Sequence, residues 1–298
     1  MKDQWKAHAG LLATNLLFGA NYSAVKYITA NAVKPFGLNL MRVAGGALLL
    51  WLLIFFMPHA PGIRKKHYGR MLICTLTGVV INQIFFIKGL SMTYSIHAAL
   101  LVLITPVFVM LAAAWLIKEP LTFYKLAGLA LGIGGAVMLI LQKEHSGSGN
   151  DVLIGDLYII INAIAYSFFF VMVKPLMQEY HPLHVLRWMF TLALFFMVLI
   201  VWTEFNAIQW NKFTIKDYSI VAFIVIGATF LAYLFNIYGI SKLGASVAGG
   251  YIYTQPVFAS LIAILILGES FTVYKLIATS LIVGGVLLVN LSPPSSSR

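Results

Sequence analysis

The sequence has 298 residues, of which 61% are apolar and 10% are charged. A soluble globular domain carries roughly 45–50% apolar and about 25% charged residues, so a soluble protein is excluded. The net charge of +11 comes from cations spread thinly along the chain, with one dense cluster at residues 64–70. Such a cluster in a single loop is typical of the cytoplasmic side of a membrane protein and does not indicate a nucleic-acid surface.

The distribution of charge predicts ten membrane-spanning helices. An Asp, Glu, Lys or Arg at the centre of an inserted helix costs about 2.5–3.5 kcal/mol, so spans should fall where these residues are absent. Barrel strands would be shorter and would alternate apolar with polar residues. Ten runs of at least sixteen residues lack all four types: 7–25, 43–63, 71–87, 89–117, 126–142, 157–173, 188–203, 218–241, 243–268 and 276–297. We therefore expect an all-α integral membrane protein.

In chain order, the first run lacks a cleavage pattern, so we interpret it as an uncleaved span. Placing the basic loop 58–70 in the cytoplasm puts both termini there as well. At mid-chain, the Gly- and Ser-rich stretch 142–156 is predicted to be a hinge. It separates a first five-helix unit at 1–145 from a second at 150–292, and residues 293–298 form a short cytoplasmic tail.

The two units are repeats of each other. The block beginning TPVFVM aligns without a gap on the block beginning QPVFAS, with Pro106 matched to Pro256 and Glu119 to Glu269 at an offset of 150. Five helices are an odd number, so the second unit must cross the membrane in the opposite sense. Two inverted repeats are the usual basis of alternating access in secondary transporters.

Uncharged polar side chains at membrane depth are the candidate substrate contacts. Most such residues form interhelical hydrogen bonds, yet this sequence has more of them than helix packing requires. The tyrosines would provide aromatic walls with a hydroxyl group, which suits a zwitterion with an apolar side chain. The candidate substrate-binding residues are Asn15, Tyr22, Asn82, Gln83, His97, Thr105, Tyr166, Asn236, Tyr253 and Gln255.

Two prolines and one histidine leave alternatives open. Pro106 and Pro256 interrupt apolar runs, where a proline removes a helical hydrogen bond and kinks the helix. The freed carbonyl groups either line a cavity or only accommodate packing. His97 either titrates near neutral pH or stays neutral within a hydrogen bond.

The cations near helix ends also have two interpretations. Long cationic side chains there commonly extend to the lipid headgroups. The pairs Lys26/Arg42 and Lys174/Arg187, however, occupy related positions in the two units. Inversion would place one pair towards each mouth of a central cavity, where it could attract a carboxylate and act in gating.

The acidic residues and the cysteine exclude several kinds of chemistry. All nine acidic residues lie in tails, loops or helix ends, and Asp156 and Glu204 come closest to a span. We therefore expect no buried carboxylate to carry a proton across the bilayer. Cys74 is the one cysteine, and no Walker A, H-E-x-x-H or G-x-S-x-G motif is present. Neither catalysis nor a bound metal or cofactor is expected.

The first helix LLFGANYSAVKYI, the segment PFGLNLMR and the two PVF…E-x-x-T-x-Y-K-L…GG blocks resemble the EamA-type branch of the drug/metabolite transporter superfamily. The resemblance implies a ten-helix permease of the bacterial inner membrane that exports small metabolites, with amino acids as the most specific expectation. The alternative is a carrier of phosphorylated or other anionic metabolites. The implied partners are a small-molecule substrate and the lipid bilayer, without nucleic acid, and the implied state is a monomer or weak homodimer.

Overall fold

The computed structural model describes residues 2–53, 62–116, 118, 122–141, 149–243 and 251–290. No β-strand occurs in these ranges, and helices account for nearly all of them. This is the pattern that lipid imposes, because a helix satisfies its own backbone hydrogen bonds. The α-helices of the described ranges are α1 (Lys2–Asn31), α2 (Pro35–Leu52), α3 (Tyr68–Thr75), α4 (Ile81–Met92), α5 (Ser95–Val102), α6 (Thr105–Leu116), α7 (Phe123–Leu141), α8 (Gly149–Glu179), α9 (Pro182–Asn206), α10 (Ile215–Ala222), α11 (Ala232–Leu243), α12 (Gln255–Ile262) and α13 (Val273–Asn290).

Six helical stretches of the described chain are long and apolar enough to cross a membrane. They are Pro35–Leu52, Lys65–Met92, Ser95–Leu116, Asp151–Glu179, Pro182–Asn206 and Ile215–Asn236. The shorter apolar helices are Phe123–Leu139, Gln255–Leu267 and Val273–Leu288. The architecture is therefore all-helical and that of a multi-pass membrane protein, in agreement with the sequence.

The predicted hinge at 142–156 needs a correction. Helix α8 begins at Gly149 and includes the second half of that stretch. Asp151 lies in the first turn of α8. Because an aspartate near a helix N-terminus interacts favourably with the helix dipole, it stabilises a helix that begins before the uncharged run 157–173. Residues 142–148, the tail 293–298 and Glu119 lie outside the described part of the chain.

Helix packing follows a simple pattern of pairs. The most extensive contacts join α7 to α13, α2 to α9, α4 to α8 and α1 to α11. Further large contacts join α1 to α12 and α6 to α8. Helices α1 and α8 are thus the two that contact most of the others, whereas α7 packs mainly on α13.

Glycines permit the closest of these contacts. A Cβ atom added to Gly89 would lie 2.8 Å from the carbonyl oxygen of Gly155, where α4 crosses α8. A Cβ atom added to Gly285 would lie 2.5 Å from the carbonyl oxygen of Gly128, where α13 crosses α7. Gly284, its neighbour in the repeated GG pair, has no atom of another residue near its added Cβ, so one glycine of this pair makes the contact.

Candidate functional site

A chain of polar side chains runs between helices inside the bundle. Gln255 on α12 donates from Nε2 to the hydroxyl of Tyr22 on α1 at 3.2 Å. Tyr22 and Tyr233 lie near enough to Arg42 on α2 for its charge to act on their hydroxyl groups, and Tyr233 lies near Tyr166 on α8. The structure thus brings together Tyr22, Arg42, Tyr166 and Gln255, four residues that the sequence identified as candidates.

Arg42 is the charged group among these polar side chains and is only 5% exposed. Its Nε donates to the hydroxyl of Thr229 at 2.7 Å. Thr229 lies in the π-helical segment Phe223–Leu231, and its hydroxyl donates to the carbonyl of Ile224 at 2.9 Å. The threonine oxygen is therefore oriented to accept from the guanidinium group. Isolated π-helical turns are frequent at functional sites.

Several buried polar atoms near this chain have no hydrogen-bond partner among the described residues. They include Oδ1 of Asn21, both side-chain polar atoms of Asn39 and Oε1 of Gln83. Asn39 lies one turn before Arg42, and Gln83 lies one turn before Phe86, whose ring packs against that of Tyr22 at 5.4 Å. A buried polar group without a partner costs about 1–3 kcal/mol, so a ligand or water that bonded to any of these atoms would be stabilised.

The two repeated prolines lie at the starts of helices. Leu103 and Ile104 form a turn directly before helix α6, and Pro106 is the second residue of that helix. In the second unit a 3-10 turn at Ile252–Thr254 precedes α12, in which Pro256 is again the second residue. Proline suits the first turn of a helix, where its missing N–H has no partner to lose. Each apolar run is thus broken before its proline.

A cluster of charged and polar side chains lies at one end of the bundle, which we call the Glu269 end. Asp156 accepts a hydrogen bond from the Thr93 hydroxyl and shares one with His97, its Oδ2 lying 3.1 Å from Nδ1. Lys26 donates to the Thr93 carbonyl and interacts electrostatically with Asp156 and Glu269. Asp156, Thr93 and His97 are completely buried.

The sequence placed Asp156 close to a span, and the structure adds that its carboxylate is completely buried at this end of the bundle. This residue lies in the second turn of α8, because the helix begins at Gly149 and not at the end of the predicted hinge. The contact between Gly155 and Gly89 brings α8 against α4 at this level, and the helices then exclude the aspartate from solvent.

Two glutamates reinforce the Glu269 end by capping helices. Glu269 accepts hydrogen bonds from the backbone N–H groups of Ser95 and Ile96, at 2.8 and 3.0 Å, at the start of α5. Glu204 accepts one from the N–H of Phe36 at 2.9 Å, at the start of α2. Carboxylates satisfy the unpaired N–H groups of a helix N-terminus. Both glutamates belong to the second unit and both capped helices to the first.

The opposite end, which we call the Glu179 end, is held by exposed ion pairs. Glu179 lies 3.1 Å from Lys66, 3.4 Å from His67 and 3.7 Å from Arg64. The side chains of Arg64 and Glu179 are 71% and 38% exposed. Lys174 lies towards this end and is also exposed. The two ends thus differ in their carboxylates, because Asp156 is completely buried at one end and Glu179 is exposed at the other.

The remaining candidates do not join the central chain through any contact in the described residues. The side chains of Asn15 and Thr105 donate to carbonyl groups of their own helices at 2.8 and 2.6 Å. Asn82 contributes a carbonyl group that accepts from Asn162. Asn236 is half-buried. The side chain of Tyr253 lies outside the part of the chain that the structure describes.

The two predicted cation pairs are not equivalent in this conformation. Lys26 is bound at the Glu269 end, whereas Lys174 is exposed. Arg187 lies 4.6 Å from the ring of Trp51 and contacts His184. Only Arg42 of the four joins the chain of tyrosines, so related sequence positions have different surroundings.

Sequence reasoning missed Thr229, Tyr233 and the burial of Asp156. Thr229 and Tyr233 are four residues apart and therefore share a face of the helix, which was a usable signal within the run 218–241. Nothing local distinguished them from other polar residues in apolar runs. Among the described residues, no group of three His, Cys, Asp or Glu side chains is placed to hold a metal ion.

Comparisons with known proteins agree with this architecture. The family model described as the EamA-like transporter family matches residues 5–141 and again residues 153–291. The chain is similar to the uncharacterized transporter YetK of Bacillus subtilis, with 24% identity over 97% of this chain and 88% of that protein. It is also similar to a probable terminal-alkyne amino-acid exporter of Streptantibioticus cattleyicolor, with 22% identity over 76% of this chain and 74% of that protein.

A solved structure shares the fold. That crystal structure aligns over 98% of this chain and 98% of its own, with a TM-score of 0.65 and 20% sequence identity. An uncharacterized transporter of Archaeoglobus fulgidus is 22% identical over 95% of this chain and 96% of its own length. The similarity thus extends along nearly the entire chain and includes both units.

Proposed function

The chain belongs to the EamA-like transporter family, and from this premise we propose that it exports small metabolites by alternating access, amino acids being the best specific candidate. Members of this family are membrane transporters and not enzymes. We propose that ten transmembrane helices form two inverted five-helix repeats around a central cavity, with units at 1–145 and 150–292.

The exchange of helix contacts between the units supports an inverted repeat. A shift by one unit relates α1 to α8, α4 to α11, α6 to α12 and α7 to α13. This shift converts the α1–α11 contact into the α8–α4 contact, and the α1–α12 contact into the α8–α6 contact. The α2–α9 and α7–α13 contacts are unchanged by the shift, because each joins a helix to its own counterpart in the other unit. Such a pattern is what a pseudo-two-fold axis produces.

The difference between the two ends carries the proposal of alternating access. At the Glu269 end, the two units are joined by the buried contact of Asp156 with Thr93 and by part-buried hydrogen bonds of Glu204 and Glu269. At the Glu179 end, the units are joined by exposed ion pairs of Glu179 and by part-buried hydrogen bonds between the Tyr180 hydroxyl and Arg64 and His67. Lys174 is exposed there, whereas its counterpart Lys26 is bound at the other end. In a transporter built from two inverted repeats, each conformer of the alternating-access cycle is closed at one end and open at the other. The two ends of a single conformer are therefore expected to differ. We assign this conformer as closed at the Glu269 end.

The positive-inside rule favours the Glu179 end as the cytoplasmic one. Arg64, Lys65, Lys66 and Arg70 lie there, next to Glu179. We propose a location in the bacterial inner membrane with both termini in the cytoplasm, as a monomer or weak homodimer. In this orientation the conformer is closed to the outside and accessible from the cytoplasm, as the resting state of an exporter should be.

Amino acids are favoured as substrates by the chemistry of the central chain. Tyr22, Tyr166 and Tyr233 offer aromatic faces and hydroxyl groups beside a single buried guanidinium group, that of Arg42. One buried cation matches one carboxylate better than a doubly charged phosphate ester. One similar protein carries a name that describes an amino-acid exporter, which supports the same choice.

Counterflow in proteoliposomes tests the proposed function. Vesicles containing the purified protein are loaded with a mixture of unlabelled amino acids, and entry of labelled L-phenylalanine, L-leucine and L-threonine is measured. Protein-dependent counterflow that amino acids inhibit and sugar phosphates do not is the expected result. Inhibition by sugar phosphates alone would favour the alternative, a carrier of phosphorylated anions. Lack of counterflow with both classes would reject the function proposed here.

A further inference from the structure

We propose that Arg42, with Thr229, Tyr233 and Tyr22, forms the binding site for the carboxylate group of the transported molecule. This inference rests on the proposed function and makes it more specific. The proposed ligand is a small monocarboxylate with an apolar or aromatic body.

The charge of Arg42 is uncompensated by the residues that surround it. Its side chain is 95% buried, and no acidic residue forms an ion pair with it in the described part of the chain. Its electrostatic neighbours Tyr22 and Tyr233 are neutral phenols. An unpaired charge is costly in a protein interior and in the bilayer, so a cation retained there requires an anion from elsewhere during the transport cycle.

The hydrogen bond to Thr229 leaves unoccupied the edge of the Arg42 guanidinium group that carries its two Nη groups. Nε is used at 2.7 Å from the threonine hydroxyl, and neither Nη group has a partner among the residues described. The Nη groups present N–H donors at a spacing that matches the two oxygens of a carboxylate. Because Thr229 is itself fixed by its bond to Ile224, the guanidinium group is held in place before a ligand arrives.

The neighbouring phenols add a second donor and an apolar wall. Tyr22 accepts from Gln255 through its hydroxyl oxygen, so the Tyr22 proton remains available for another acceptor. The ring of Tyr233 packs edge-on against Phe18 and Phe190 at 6.3 and 6.0 Å. A carboxylate on Arg42 would therefore have a phenol donor beside it and aromatic rings around its apolar substituent.

Other buried or half-buried cations among the described residues make contacts that differ from those of Arg42. Lys275 donates to the carbonyl of Ser270 at 2.7 Å, and Lys26 donates to that of Thr93. Arg187, the counterpart of Arg42 in the second unit, stacks on Trp51 at 4.6 Å. Arg187 also contacts His184, although its buried Nε has no hydrogen-bond partner among the described residues. It provides a matched control because it is a second buried guanidinium group with different contacts.

The first experiment needs no knowledge of the substrate. Thermal unfolding of the purified, ligand-free transporter is compared for wild type, Arg42→Met and Arg187→Met. If Arg42 is retained for a ligand, removal of its charge should leave the melting temperature unchanged or raise it, whereas Arg187→Met should lower it. A clear fall in the melting temperature of Arg42→Met, equal to that of Arg187→Met, would show a structural role and overturn the proposal.

The second experiment tests the chemistry of the ligand. Benzoate, phenylacetate and L-phenylalanine are the probes, and benzamide is the neutral isostere of benzoate. Because a ligand that binds the folded state raises its stability, at least one carboxylate should raise the melting temperature of wild type and Arg187→Met in proportion to its concentration. Benzamide should not, and Arg42→Met should lose the response. Equal stabilisation by benzamide, a response that survives in Arg42→Met, or no response of wild type to any carboxylate would overturn the proposal.

Counterflow separates this inference from the proposed function. If wild type and Arg42→Met exchange labelled amino acids at the same rate, the protein is an amino-acid transporter but Arg42 is not its carboxylate site. If carboxylates stabilise wild type through Arg42 but no counterflow occurs, the site exists and the transport function fails. The expected result is stabilisation by carboxylates together with a loss of counterflow of at least tenfold in Arg42→Met.

Discussion

Glu269 provides the sharpest test of how the two ends are held. Its carboxylate accepts from the N–H groups of Ser95 and Ile96 at 2.8 and 3.0 Å, and so joins the second unit to the start of α5. In Glu269→Gln the shape of the side chain is retained but its charge and one of its acceptor oxygens are lost. We expect the Glu269 end to open more often.

The size of this effect follows from the two hydrogen bonds. A hydrogen bond to a charged group contributes about 1.5–3 kcal/mol and a neutral one about 0.5–1.5 kcal/mol. With about 1.5 kcal/mol for each lost charged bond and about 1 kcal/mol for the retained neutral bond, the net loss is about 2 kcal/mol. The low value for the charged bonds is appropriate because Glu269 is only half-buried. Since 1.4 kcal/mol corresponds to a factor of ten, the ratio of closed to open molecules should fall about 30-fold.

Distances between spin labels measure this ratio directly. Labels are placed at Lys34 and Val273, two exposed positions at the Glu269 end, in a Cys74→Ala background reconstituted in nanodiscs. Glu269→Gln should populate a longer distance that is rare in wild type. Glu179→Gln is the matched control, because it also removes one carboxylate charge but from the exposed ion pairs at the other end. An unchanged distance distribution in Glu269→Gln would refute the proposed role of these two bonds in closing this end.

Further predictions concern the buried aspartate and the helix contacts. Because Asp156 joins Thr93 and His97 without access to solvent, Asp156→Ala should lower the melting temperature by leaving both partners without their acceptor, and an unchanged melting temperature in this variant would contradict the assignment. Gly89→Val should lower the melting temperature, since an added Cβ would lie 2.8 Å from a backbone oxygen and overpacking costs about 1–3 kcal/mol. Gly134→Ala, where an added Cβ meets no atom, is the control and should not lower it.

The repeated sequence predicts most of the fold because its signals are local. Uncharged runs mark apolar helices, and the 150-residue offset relates Pro106 to Pro256 before any contact is known. The burial of Asp156 could not be predicted in this way, because it depends on where α8 begins and on the close contact between Gly89 and Gly155. The sequence shows that Asp156 lies near the end of an uncharged run. Helix packing decides whether its side chain is exposed to solvent.

The candidate site was predicted in part for a similar reason. Tyr22, Arg42 and Gln255 were recognisable as polar groups in apolar surroundings, and the structure connects them. Thr229 and Tyr233 have the same character, yet their importance comes from Arg42 on another helix. These contacts join helices that are far apart in sequence. The pattern within one apolar run does not show which of its polar residues make such contacts.

The chemistry of the two ends and of Arg42 suggests how substrate binding would drive the proposed cycle. A ligand shifts a conformational equilibrium only by its difference in affinity between the two states. At the Glu269 end the contact of Asp156 with Thr93 is buried and two charged hydrogen bonds of Glu269 cap α5. At the Glu179 end the ion pairs of Glu179 are exposed, a class that contributes little to stability. The empty protein should therefore favour the conformer that is closed at the Glu269 end. An anionic substrate on Arg42 would remove the cost of the uncompensated charge, and it promotes export only if it is bound more tightly once the Glu269 end has opened.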